Sequence, residues 1–172
     1  MPLIELQPTE YNAYYQQYLD KITGKEELHP SLRKGKSRTL KFFQTLTAAQ
    51  WMRAYAPGKW TPKEVLQHLI DTERIFGYRA FRIARRDTTS LAGFDQDIYI
   101  QPSGANDKTA EQLLEEYTAT RDYTLSLVKS LSADDLAAMG TANGTPLSAR
   151  AALWILIAHD IWHIDIIKER YL

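Results

Sequence analysis

AALWILIAHDIWHIDII, residues 151–167, is the stretch whose reading decides the fold. Its apolar residues fall at helical spacing on two sides. Ala152, Leu156, His159, His163 and Ile166 form one seam, and Trp154, Ile157, Ile161 and Ile164 form another. A helix that is apolar on both sides must bury both. One seam is expected to face a bundle core and the other a second subunit, which predicts a homodimer. His159 and His163 stand four apart, so their imidazoles point the same way, with Cβ atoms roughly 5–6 Å apart. The chain has 4 histidines, and a third of them, His68, lies upstream in TPKEVLQHLIDTERIF, residues 61–76. Three imidazoles on two helices are the right number to hold one divalent metal ion while leaving coordination positions free. That is the pattern of a reactive site rather than a closed structural one.

The helix that carries His68 has a clear start. Thr61 is the expected N-cap, Pro62 the first helical residue and Glu64 the return partner of a capping box. Its stripe of Val65, Leu69, Thr72 and Phe76 contains His68, and it should run to about Arg86. Arg74, Arg79, Arg82, Arg85 and Arg86 read as a solvated or ion-paired face. Outward from these two helices, spacing predicts a Tyr-rich helix over 9–22, a second over 31–54 and a third over 109–131, with a short turn of helix at 132–138. Thr145-Pro146 is expected to open the last helix as Thr61-Pro62 opens the earlier one. Residues 87–108 form a long connection with Gly93, Pro102 and Gly104, and no period-2 strand is found. The expected fold is therefore all-α: a four-helix bundle with a short extra N-terminal helix, in one domain of 172 residues.

The heights of the histidines constrain the topology. His68 lies about 10 Å up its helix from the N-cap; His159 and His163 lie roughly 21 and 27 Å up theirs, counted from Thr145. Both helices are about 25 residues long by their boundary signals. Only an antiparallel pair brings the three level. A plain up-down-up-down bundle would make these two helices parallel, so the 87–108 connection must cross over, giving up-down-down-up.

Composition excludes several function classes. Lys+Arg and Asp+Glu balance at 21 each, with no basic block, so nucleic acid and membrane surfaces have no electrostatic footprint. Cysteine is absent, which removes disulfides, thiolate nucleophiles and thiolate ligands and suits a cytoplasmic location. MPLIELQPTEYN does not read as a signal peptide, and the run 151–158 is too short to span a bilayer.

Other candidates are weaker. Asp71, one turn after His68, is a candidate to orient an imidazole or act in catalysis, against an ion pair with Arg74. Glu64 is better explained by its cap. Asp95, Asp97 and Tyr99 in the long loop are candidates for the site mouth, against ordinary solvation. His29, before Pro30, reads as structural. His-Asp-Ile-Trp-His at 159–163 only superficially matches the zincin HExxH. Asp160 is a methylene short and points about 100° away from His159. A pair of Glu-x-x-His motifs, the mark of di-iron bundles, is missing.

APGKWTPKEVLQHLIDTERIFGYRAFRIAR at 56–85, GFDQDIY at 93–99 and LWILIAHDIWHIDIIKERY at 153–171 together resemble the DinB superfamily of bacterial four-helix-bundle proteins, over about residues 32–172. The resemblance implies an up-down-down-up bundle, often dimeric. It implies one divalent metal, nickel or zinc, on the positions held here by His68, His159 and His163. Characterised activities in that family include transfer of low-molecular-weight thiols and mycothiol-dependent isomerisation. The expected function is thus a metal-dependent hydrolase or thiol S-transferase acting on a small molecule. The alternative is a non-catalytic stress-related or interaction bundle whose metal is structural or adventitious.

Overall fold

The structure, a computed structural model, describes residues 6–23 and 27–172. The first five residues, on which part of the signal-peptide reading rests, lie outside the described residues. Eight helical segments are α1 Gln16–Leu19, α2 Leu28–Gln44, α3 Ala48–Trp51, α4 Pro62–Ala84, α5 Asp97–Ser103, α6 Ala110–Lys129, α7 Ala133–Leu136 and α8 Ala149–Arg170. The long ones, α2, α4, α6 and α8, form the bundle, and each packs against two neighbours in the ring order α4, α8, α2, α6.

Side-chain pairings give the directions. Lys63 Nζ at the start of α4 donates to the carbonyls of Asn106 and Lys108 just before α6, and Gly77 faces Thr124 further up, so α4 and α6 are parallel. Tyr171 at the end of α8 donates to the Trp60 carbonyl at the start of α4, which makes α4 and α8 antiparallel. Thr39 meets Asp160, and Lys168 lies over Phe42, so α2 and α8 are parallel. The bundle is up-down-down-up, as the histidine heights require.

Several local expectations are corrected. The N-terminal helix over 9–22 is broken into 3-10 turns at Pro8–Glu10 and Ala13–Tyr15 followed by α1. Between the turns, the Asn12 side chain accepts the Tyr14 N–H at 2.8 Å, a local bond that competes with a continuous helix. The helix over 31–54 is two helices. Thr47 caps α3 in a capping box with Gln50, a Thr-x-x-Gln signal that restarts the chain after α2. Thr145-Pro146 does not start α8. It lies in a strand, and Ser148 is the N-cap, accepting from the Ala151 N–H.

That strand belongs to a hairpin, β1 Met139–Ala142 with β2 Thr145–Ser148. Asn143 and Gly144 turn it with φ of 52° and 72°, the two positive values that a type I′ turn demands. The Asn-Gly dipeptide is a hairpin signal that the helical reading passed over. Gly140 is required by packing, since a Cβ there would sit 2.6 Å from Ile83 Cγ1. The 87–108 connection then docks on the hairpin. Leu91 donates to the Thr141 carbonyl and accepts from the Asn143 N–H, both at 2.9 Å. This clip carries Phe94 and Asp95 to one flank of α4. The rest of the connection is less open than expected, because it contains α5 and a 3-10 turn at Ala105–Asp107.

The core is two apolar clusters. One gathers Leu32, Phe76, Ile83, Leu153 and Leu156 towards the hairpin end. The other gathers Phe43, Trp51, Leu66, Leu113 and Ile167 towards the opposite end. Between them lies a buried polar layer drawn from all four helices. Arg121 Nε bonds Glu73 Oε1 at 2.6 Å and its Nη2 bonds Asp160 Oδ2 at 3.0 Å. Tyr117 and Thr39 donate to the same Asp160 oxygen at 2.6 and 3.1 Å. Burial pushes the Tyr117 hydroxyl well above its ordinary range, so it stays a donor. This layer sets the rotation of α8. With Asp160 turned to the centre, its neighbours His159 and His163 face α4.

The first half of α8 is buried on both seams. Trp154, Ile157 and Ile164 are buried, and Ile22 of the N-terminal segment lies beside Trp154 and Ile157. Ile161 of that seam and Ile166 of the other are half-buried. Among the described residues, no helix is long and apolar enough to cross a membrane.

Candidate metal centre

The antiparallel α4 and α8 bring His68, His159 and His163 together. The Nε2 atoms of His68 and His163 each lie 3.0 Å from His159 Nε2, and one ligand atom from each residue falls within 4.8 Å of the others. Donors at 2.0–2.1 Å from one ion stand about 2.9 Å apart at a right angle and about 3.3 Å apart at a tetrahedral angle. The two 3.0 Å spacings to His159 Nε2 fall in that range. Without one, each 3.0 Å contact is an N–H···N hydrogen bond whose donor is set by the ring tautomers.

Electrostatics favour the lone-pair form. Burial, helped by the His163 charge, holds His68 down to about 3. Burial holds His163 down to about 4, against an upward pull from Asp160. Burial, then His163 and His68, push His159 well below its usual range. All three are neutral at pH 7, the state in which imidazole donates to a metal. Thr72 Oγ1 stands 3.5 Å from His68 Nδ1, on the far side of that ring from the cluster. Aromatic rings wall the cluster. Trp60 packs 5.0 Å from the His68 ring, and Tyr18 packs edge-on 5.6 Å from His159 and 5.1 Å from Trp162.

A cavity of about 510 Å³ reaches this cluster at His159. The N-terminal segment supplies one wall, with Asn12, Tyr15 and Tyr18; α4 supplies Thr72, Phe76 and Arg79; the clipped loop and hairpin supply Phe94, Asp95 and Asn143. Asp95 and Asp97 line the cavity and are exposed to solvent. Tyr99 instead borders a separate cavity together with Asp71. Asp71 is not brought to the histidines. Its Oδ1 accepts from Gln67 at 3.0 Å and from Arg74 at 3.3 Å, the ion-pair reading of that residue. Glu64 closes its capping box through the Thr61 N–H at 2.7 Å. Asp160 is in the polar layer, away from the His-Asp-Ile-Trp-His pair's metal-facing side. Sequence reasoning missed Tyr18, Trp60, Arg79 and Asn143. Only Asn143 had a signal in the sequence, its Asn-Gly turn.

The geometry has relatives. The family model of the DinB superfamily matches residues 31–167. YfiT from Bacillus subtilis, described as a probable metal-dependent hydrolase with an unusual four-helix bundle topology, superposes with a TM-score of 0.75 at 18% identity, covering 96% of this chain and 91% of that one. The mycothiol-dependent maleylpyruvate isomerase superposes with a TM-score of 0.65 at 14% identity, covering 90% of this chain and 62% of that one. At such identities the likeness is one of fold. No curated protein sequence matches the chain. The matched span includes all three histidines, the whole of α4 and α8 up to residue 167, and the chain belongs to the DinB superfamily.

Proposed function

We propose that His68, His159 and His163 hold one divalent metal ion, nickel or zinc, and that the chain is a metal-dependent enzyme acting on a small molecule admitted through the 510 Å³ cavity. The observation that carries this reading is the convergence of three neutral imidazoles, those of His68 and His159 buried, beside a cavity lined by His159. Bound there, the ion supplies Lewis-acid chemistry, for hydrolysis or for transfer of a thiol to an electrophile. The chain's own groups prepare the site. Trp60 and Tyr18 exclude water from two sides of the cluster. The neutral ligand set leaves the ion its full charge, which favours an anionic ligand. The descriptions of YfiT as a probable metal-dependent hydrolase and of the isomerase as mycothiol-dependent support this reaction range, and a low-molecular-weight thiol is the proposed co-substrate for the transferase branch.

Elemental analysis of untagged protein, purified without added metal, tests the assignment. About one nickel or zinc per chain is expected, lost in a folded His163→Ala variant. Stoichiometric metal retained by that variant would refute the ligand set.

A further inference from the structure

Five arginines on and just after α4 read in the sequence as one solvated or ion-paired face, and Arg79 departs from that pattern. Arg74 pairs with Asp71 and Glu116, Arg82 with Asp87, and Arg86 lies 3.5 Å from Asp135. Arg79 is only 3% exposed, and among the described residues no carboxylate lies within ion-pair distance of it. Its Nη2 donates to the Ala92 carbonyl at 2.7 Å. Its guanidinium lies 5.0 Å from the Phe76 ring and 5.5 Å from the Phe94 ring. Two aromatic faces, one carbonyl and the neutral Tyr15 hydroxyl offset part of the desolvation of a cation. They do not neutralise it, and a guanidinium has five N–H donors in a fork matched to a planar anion.

The position of Arg79 gives the unpaired charge a purpose. Residues 68, 72, 76 and 79 form one helical stripe on α4, and the cavity that ends at His159 is lined by Thr72, Phe76 and Arg79 in turn. Tyr15 lines it beside them, and the Arg79 charge pulls its phenol down against a larger upward push from burial. Asp95 and Asp97 also line the cavity, but both are exposed, and Asp95 Oδ1 is engaged with the Asp97 N–H at 2.9 Å. The buried charge of the cavity is therefore positive. We infer that Arg79 is the anchor for a carboxylate, or an anion of the same planar shape, on a ligand whose other end reaches the three histidines.

The ligand's length follows from the helix. Arg79 stands eleven residues past His68, about 16 Å of rise, shortened because its side chain leans back over Phe76. A ligand that touches both ends is an elongated carboxylate with an apolar middle, suited to Phe76, Phe94 and Ile155, rather than a bare anion such as acetate. Carboxylate binding at Arg79 does not depend on the metal; naming that carboxylate as the far end of a substrate rests on the reading of the histidines above.

Calorimetric titration of the full-length chain, metal-stripped and zinc-loaded, with acids from acetate to 6-phenylhexanoate, each beside its primary amide, tests the assignment. In the metal-stripped protein a longer acid is expected to bind at least tenfold tighter than its amide. Arg79→Gln should bring the pair within twofold of each other, and Arg79→Lys should keep part of the preference. Equal binding of acid and amide, a preference that survives Arg79→Gln, or no binding by any acid overturns the inference. The wild-type ratio alone decides if the variants do not fold. Failure of the metal reading would show separately, as no zinc uptake with the acid preference intact.

Discussion

Replacing Arg121 with Met should destabilise the protein by as much as the largest apolar truncations in its core, and the layer between the two apolar clusters shows why. Arg121 and its two carboxylate partners, Glu73 and Asp160, have side chains 0%, 1% and 3% exposed. Removing one partner of a buried pair leaves an uncompensated charge and costs about 3–5 kcal/mol. The damage should concentrate at Glu73. Asp160 keeps two hydroxyl donors, Tyr117 and Thr39. Glu73 Oε1 has Arg121, and its Oε2 has no hydrogen-bond partner among the described residues. With a urea m-value of about 2 kcal/mol/M, the midpoint should fall by about 1.5–2.5 M. Urea unfolding of the chelator-treated protein at pH 7, followed by circular dichroism, measures it. Adding Glu73→Gln to Arg121→Met should recover more than half the loss, and Asp160→Asn should recover less. A midpoint shift under about 0.5 M, or equal recovery by the two second substitutions, would refute the argument. Because Asp160 orients its neighbour His159, the single variant should also weaken metal binding.

Four other outcomes follow from the geometry. Metal-free protein should lose stability as pH falls below 6.5. Folded His68 stays neutral down to about 3 while the unfolded chain takes a proton near 6.5, so the loss between pH 6.5 and 5 is on the order of 2 kcal/mol from that residue, and thermal melts across this range would show it. Zinc or nickel at about 100 times its Kd should raise unfolding free energy by about 2.7 kcal/mol, an increase that denaturant titration of His68→Ala should not show. Gly140→Ala drives a methyl to 2.6 Å from Ile83 Cγ1 and should cost about 1–3 kcal/mol in an unfolding titration, as overpacking does. Ser148→Ala removes the N-cap of α8 and a 2.7 Å bond to buried Glu10; a loss of about 1–2 kcal/mol is expected by the same assay.

The long helices were legible because their burial pattern repeats along the chain. Thr61, Pro62 and Glu64 mark the start of α4 by purely local bonds, and Val65, Leu69 and Phe76 recur at the spacing of a single face. The helices broke where an equally local signal was overlooked: Thr47 with Gln50 restarting the chain at α3, and Asn143-Gly144 turning a hairpin out of what read as the first turn of α8. The topology was legible for a different reason. Three histidines on two helices can meet at one level only if those helices are antiparallel, and one long connection was available to make them so.

What the sequence determined by itself is therefore the set of helices, the antiparallel relation of α4 and α8, and the three imidazoles that meet between them. Each of these depends on periodicity or on residues a few positions apart. Beyond the Asp71–Arg74 pair, the tertiary structure alone decided which charges are paired. Arg74, Arg79, Arg82 and Arg121 look alike in the sequence. One is exposed beside Asp71, one stands unpaired at a cavity wall, one is tied to Asp87, and one crosses the core to Glu73 and Asp160. An ion pair depends on partners up to 144 residues away in the chain, and no local rule carries that distance. The cavity is of the same kind. Its walls come from the N-terminal segment, α4, the clipped loop, the hairpin and α8, and only the packing of these segments encloses a space that ends at His159.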